Sequence, residues 1–147
     1  MRALLQRVGR AAVRVEGREI ASIGPGLLIL LGVSSQDPPG IETRLAERCA
    51  EFRIFEDDQG RMNRSVREIG GEALVVPQFT LMADTSRGRR PSFDPAAAPE
   101  PAERAFTAFC EALTELRVPT GRGKFGASMD VELVNRGPAT FLLEVAS

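Results

Sequence analysis

The run Leu27-Leu28-Ile29-Leu30-Leu31-Gly32-Val33 constrains this chain most, because it offers no polar face. Successive side chains of a strand point to opposite sides. A strand apolar on both sides must therefore be covered on both, which makes residues 27–33 a central strand with packing partners above and below it. The run is far too short to span a bilayer. No charged leader followed by an apolar stretch and a small-residue cleavage site precedes it, so neither secretion nor membrane anchoring is expected.

Other segments supply the partners. Ala3–Val8 and the alternating Ala12–Val15 read as strands, a turn falls at Gly17, and Glu19–Ile23 reads as a third strand before Gly24-Pro25-Gly26. Ile41, Leu45, Cys49 and Phe52 recur at helical spacing, predicting a helix from Ile41 to about Phe52. Asp57-Asp58-Gln59-Gly60 and Gly70-Gly71 are turn signals that bracket a short polar segment. Leu74-Val75-Val76 begins a strand leading into Pro77-Gln78-Phe79-Thr80-Leu81. The stretch from Asp84 to Pro101, with its prolines, reads as a long surface loop ending at a second helix that buries Phe106, Phe109, Cys110 and Leu113. Alternation resumes over Met129–Leu133, and Thr140–Val145 forms a final strand. With 147 residues, no repeat and no linker, the chain reads as one α/β domain, 1–147. Its expected architecture is a mixed, largely antiparallel sheet or small β-barrel with helices packed outside.

The composition limits the chemistry. The chain contains no histidine, so no Ser-His-Asp triad, Cys-His pair, His-ligated metal or imidazole base can come from it. Nineteen basic and twenty acidic residues give a net charge of −1, so any nucleic-acid binding must come from local patches. Lys124 is the one lysine. Cys49 and Cys110 match neither a CxxC nor a zinc spacing and read as reduced, buried thiols. No metal and no cofactor is expected.

Three segments carry candidate chemistry. Gly121-Arg122-Gly123-Lys124-Phe125-Gly126 spells GxGxxG, but strand-like alternation follows where a dinucleotide site needs a helix, so it reads as a glycine-rich turn able to approach a ligand. Arg87-Gly88-Arg89-Arg90 sets three guanidinium groups on a loop. They can pair with phosphate oxygens, although a solvated, salt-bridged loop is the plainer reading. Gln78, Phe79 and Thr80 stand at a strand end, where functional groups emerge from a rigid sheet. Thr80 has a structural hydroxyl by default, its nucleophilic use requiring a base. Asn135-Arg136-Gly137-Pro138 reads as a hairpin turn between the last two strands, with a cis Gly-Pro bond as the alternative.

Taken together and in order, these segments resemble the D-aminoacyl-tRNA deacylases over essentially the whole chain. The matching stretches are Met1-Arg2-Ala3, Gln6-Arg7-Val8, Ile23-Gly24-Pro25-Gly26-Leu27-Leu28, Arg53-Ile54-Phe55-Glu56-Asp57 and Gly70-Gly71-Glu72. Gln78-Phe79-Thr80-Leu81, Gly88-Arg89-Arg90-Pro91-Ser92-Phe93, Gly123-Lys124-Phe125-Gly126 through Met129, and Asn135-Arg136-Gly137-Pro138 complete the set. The resemblance implies a cytoplasmic homodimer that hydrolyses the ester joining a D-amino acid, and often glycine, to tRNA. It implies that Gln78, Phe79 and Thr80 form the catalytic segment, with backbone amides near Phe79 and Thr80 holding the oxyanion and the RNA 2′-hydroxyl assisting water. It implies that a cis Gly137-Pro138 enters the partner's site and rejects L side chains, braced by Arg7, while Phe125 and Met129 flank the pocket. Arg87, Arg89 and Arg90 are candidate tRNA contacts. One position departs from the pattern: Pro77 stands where the family usually has Ser, and Pro-Gln there resembles animal deacylases that remove L-alanine from tRNA. The D-selective reading is favoured; an L-alanyl-tRNA proofreader and a non-catalytic module for the tRNA acceptor end are the alternatives.

Overall fold

The computed structural model describes residues 1–146. Eight strands, two α-helices and one 3-10 turn follow the order β1 (Arg2–Val15), β2 (Arg18–Ile23), β3 (Gly26–Gly32), α1 (Ile41–Glu51), β4 (Phe55–Glu56), β5 (Met62–Arg64), β6 (Glu72–Pro77), the 3-10 turn (Phe79–Met82), α2 (Pro99–Glu115), β7 (Thr120–Arg122) and β8 (Asp130–Glu144). The main sheet runs β2-β1-β3-β6-β7, with β8 also paired to β1. Pairings of β1 with β2, β3 and β8 are antiparallel, whereas β3–β6 and β6–β7 are parallel. A strand as apolar as β3 needs this mixed setting: α1 and α2 return the chain to parallel neighbours and cover one face. The sheet curls until β2 touches β7, nearly closing a barrel.

The alternation of β3 and β6 sorts their side chains into two cores. Leu27, Ile29, Leu31, Ala73 and Val75 meet Leu45, Cys49, Phe106, Phe109 and Leu113 from the helices. Leu28, Leu74 and Val76 point the other way, to Val8, Ala11, Val13 and Ile23 inside the curl. The two predicted helices are present, and their apolar stripes face the sheet. No described helix is long and apolar enough to cross a membrane.

Two expectations are corrected. The segments 3–8 and 12–15 are one strand, β1, bent by register shifts on either side of Val8. The Asn135–Pro138 segment is not a hairpin turn between two strands: β8 runs through it, and both halves of β8 pair with β1. Residues 140–144 align with 6–2, and residues 135–130 with 8–14. Gly137 and Pro138 occupy the resulting bulge, where extra residues on one strand leave the ladder and re-aim the backbone. The polar segment after α1 folds as a small hairpin, β4–β5.

Candidate active site

At the carboxyl end of β6 the chain leaves the sheet. The Gln78 amide still donates to the Leu31 carbonyl at 2.8 Å, which continues the parallel ladder for one residue before the 3-10 turn begins. Pro77 has no N–H, but it lies beyond the last β6–β7 pair, Val75 with Arg122, so its place at the strand end suits it. The first amides of a helical turn have no partner within the turn. Those of Phe79 and Thr80 donate to no backbone acceptor among the described residues, whereas Leu81 N–H donates to Gln78 O and Ala83 N–H to Thr80 O. The turn is pinned from below by Arg2, whose Nη1 donates to the Leu81 carbonyl at 2.9 Å.

This strand end borders a cleft of about 540 Å³. Val76, Pro77, Gln78 and Phe79 form one wall, Ala97, Pro99 and Ala102 another, and Phe125, Met129 and Val131 face them. The lining is mostly apolar with polar groups at one edge, the usual character of a small-molecule site. The Gln78 side-chain amide donates to the Thr80 hydroxyl, both on the exposed side of the turn. Phe125 leans on Phe106, with ring centroids 6.2 Å apart, which anchors that wall to α2. Among the described residues no group of three or more His, Cys, Asp or Glu side chains comes together.

The structure therefore brings Gln78, Phe79, Phe125 and Met129 around one cleft and sets Thr80 at its rim. Gly137 and Pro138 do not line it. They are exposed on β8, and the peptide bond between them is cis. Gly137 has φ +134°, a conformation L residues rarely adopt, and a Cβ there would stand 2.5 Å from Arg7 Nη2. Arg7 is buried beneath this bulge and donates to the Arg136 carbonyl at 2.9 Å and to the Ile54 carbonyl at 2.7 Å. Thus Arg7 braces the Gly-Pro segment without reaching the cleft of its own chain. Arg87, Arg89 and Arg90 lie exposed on the loop beside Phe93, and none joins an ion pair among the described residues, so the loop is solvated but not salt-bridged.

Sequence reasoning missed Ala97, Pro99, Ala102 and Val131 as cleft walls, because small apolar residues carry no chemical signature. It also missed the support from Arg2, although Met1-Arg2-Ala3 belongs to the matching motifs.

Known proteins are similar to this chain in sequence and fold. A family model described as D-Tyr-tRNA(Tyr) deacylase matches residues 4–144. A D-aminoacyl-tRNA deacylase of Roseiflexus castenholzii is 58% identical over 146 residues, covering 99% of this chain and 93% of the relative. One from Deinococcus radiodurans is 52% identical over 145 residues, covering 99% and 100%. The solved structure of the c-Myc DNA Unwinding Element Binding Protein superposes with a TM-score of 0.95 at 38% identity, over the full length of both chains.

Proposed function

The chain belongs to the D-Tyr-tRNA(Tyr) deacylase family, and from that premise we propose that its cleft hydrolyses the ester of D-aminoacyl-tRNA, releasing free amino acid and tRNA. The observation that carries the catalytic reading is the pair of unengaged amides, Phe79 and Thr80, at the mouth of an apolar cleft. Water adds to the ester carbonyl carbon, the carbonyl oxygen becomes an oxyanion held by these two N–H groups, and collapse expels the ribose oxygen, which takes up a proton. Preorganised amides aimed at developing charge are worth about 3–4 kcal/mol per donor in comparable sites. Since the chain has no imidazole, the neighbouring ribose hydroxyl of the substrate assists the water. Thr80 serves through its backbone, its hydroxyl being engaged with Gln78.

Selectivity arises in a homodimer. Gly137 and Pro138 are exposed and remote from their own cleft, so a second copy presents them to the first, where their carbonyls exclude an L side chain and admit a D residue or glycine. Glycine wrongly attached to alanine tRNA is accordingly a substrate. The enzyme works in the cytoplasm, where aminoacyl-tRNA is used.

Incubation with D-aminoacyl-, L-aminoacyl- and glycyl-tRNA tests the reading. Hydrolysis of the D and glycyl esters with L spared is expected. Preference for L-alanyl-tRNA would favour the Pro-Gln proofreader, and binding with all three esters intact would favour a non-catalytic module. Mixing a Gln78→Ala chain with a Pro138→Ala chain tests the crossing gate: mixed dimers hold one site with both parts intact, so L rejection should return in the mixture. A mixture no more selective than Pro138→Ala alone would sink the shared site.

A further inference from the structure

Phe79 and Phe93 leave 58% and 40% of their surface open. Both flank the cleft end of the sheet and touch edge to face, with centroids 5.0 Å apart and ring planes at 66°. Aromatic surface is the most favourable to bury, and this paired but open arrangement leaves two ring faces available to a further partner. We propose, resting on the deacylase reading above, that Phe79 and Phe93 form a stacking ledge for the unpaired nucleotides preceding the terminal adenosine, with Arg87, Arg89 and Arg90 on their phosphates.

Phe93 is held in place by the backbone. Asp84 and Ser92 exchange both N–H to O bonds, at 2.7 and 2.9 Å, which closes the intervening segment into a loop and sets Phe93 just past its neck. Beyond it, Ala96 N–H donates to Phe93 O at 3.0 Å and Ala97 N–H to Val33 O at 3.0 Å, tying the far side to the sheet. The three arginines lie on that closed loop. The acidic group at its neck is engaged: the Asp84 carboxylate accepts from Ser86 N–H at 2.9 Å and Ser86 Oγ at 2.6 Å.

The substrate geometry then selects the ledge. If the ester carbonyl sits at the amides of Phe79 and Thr80, the nucleotides leading to it pass beside the Phe79 side chain. Single-stranded nucleic acid is held by such aromatic faces with cations along its backbone, and stacking tolerates any base. On the opposite rim the ring is already engaged, because Phe125 packs on Phe106.

The test compares D-aminoacyl-tRNA with the same amino acid esterified to adenosine alone, which lacks the preceding nucleotides. Phe93→Leu keeps apolar bulk and removes the stacking face; it should lower kcat/KM about ten-fold on the tRNA, through KM, and leave the adenosine ester unaffected. Phe93→Trp should restore the tRNA value. An RNA hairpin ending in CCA, with 2-aminopurine replacing the base before the terminal adenosine, should lose fluorescence on binding the wild type and Phe93→Trp, but not Phe93→Leu. Equal losses on both substrates would mean that Phe93 only props Phe79, and would overturn the ledge. Undiminished activity of Phe93→Leu on tRNA, or unquenched binding to the wild type, would overturn it too. Failure of the deacylase reading would show instead as a wild type inert on both esters, and the fluorescence would still decide the ledge.

Discussion

Arg7 shows how a single residue links the interior to the site. It is buried, and among the described residues no carboxylate pairs with it; two main-chain carbonyls, of Ile54 and Arg136, satisfy it instead. Arg7→Met would fill much of the space and orphan both carbonyls. We expect a stability loss of about 1–3 kcal/mol in urea titration, with increased hydrolysis of L-aminoacyl-tRNA as the Gly-Pro segment loses its brace. Lys would fail to rescue, because it lacks the two-pronged geometry. The thiols provide a second residue-level test. Burial pushes Cys49 and Cys110 up to about 12 from an ordinary value near 9. The folded chain keeps protons that the unfolded chain releases, so stability present below pH 9 is lost as the pH rises towards 12. The slope is at most about 1.4 kcal/mol per pH unit for each thiol. The chain has no tyrosine and one lysine to obscure this window. Urea midpoints between pH 8 and 10.5 should fall steeply in the wild type and less steeply in Cys49→Ala and Cys110→Ala.

At the scale of elements, the close approach of β3 to β6 positions the cleft. A Cβ at Gly26 would collide with the Glu72 carbonyl on the neighbouring strand. Gly26→Ala should therefore cost about 1–3 kcal/mol by forcing the pair apart, and should lower activity at the far end of β6. Both are readable in one urea titration and one rate measurement. The same elements show what a sequence can disclose. The strand β3 was legible from its unbroken apolar run, and both helices because burial on one face imposes a period on their side chains. The continuity of β1 and β8 was not: Gly9 and Gly137-Pro138 look like chain breakers, and only the partner strand reveals that they are bulges in long ribbons. Gln78, Phe79 and Thr80 were legible as a strand end, and the structure sets them at the border of a cleft. The 3-10 turn that leaves the Phe79 and Thr80 amides without a backbone acceptor was not, since the residues following Pro77 continue an extended pattern on paper. Pro77 lies past the last β6–β7 pair, so Pro77→Ser should change stability by less than about 1 kcal/mol and preserve D preference in the three-substrate assay.

For the whole molecule, the proposed gate requires two chains, and light scattering should return twice the 15.9 kDa chain mass. A net charge of −1 offers no general attraction for tRNA, so salt-sensitive binding must come from local patches, and the ledge proposed above assigns it to the arginine loop. Replacing Arg87, Arg89 and Arg90 with Gln should weaken binding and flatten the dependence of log affinity on log salt by about two units, at roughly 0.7 for each single-strand phosphate deprived of its guanidinium. The pairing of β8 with nearly the full length of β1 also bears on how the protein is made. The ribosome delivers residues 2–15 early, yet one side of that ribbon stays open until residues 130–144 emerge. At synthesis rates of about 5–20 residues per second, the interval lasts several seconds or longer. During it the nascent chain exposes a long β edge of the kind that recruits chaperones or neighbouring chains, so yield in cells should depend on protecting that first strand.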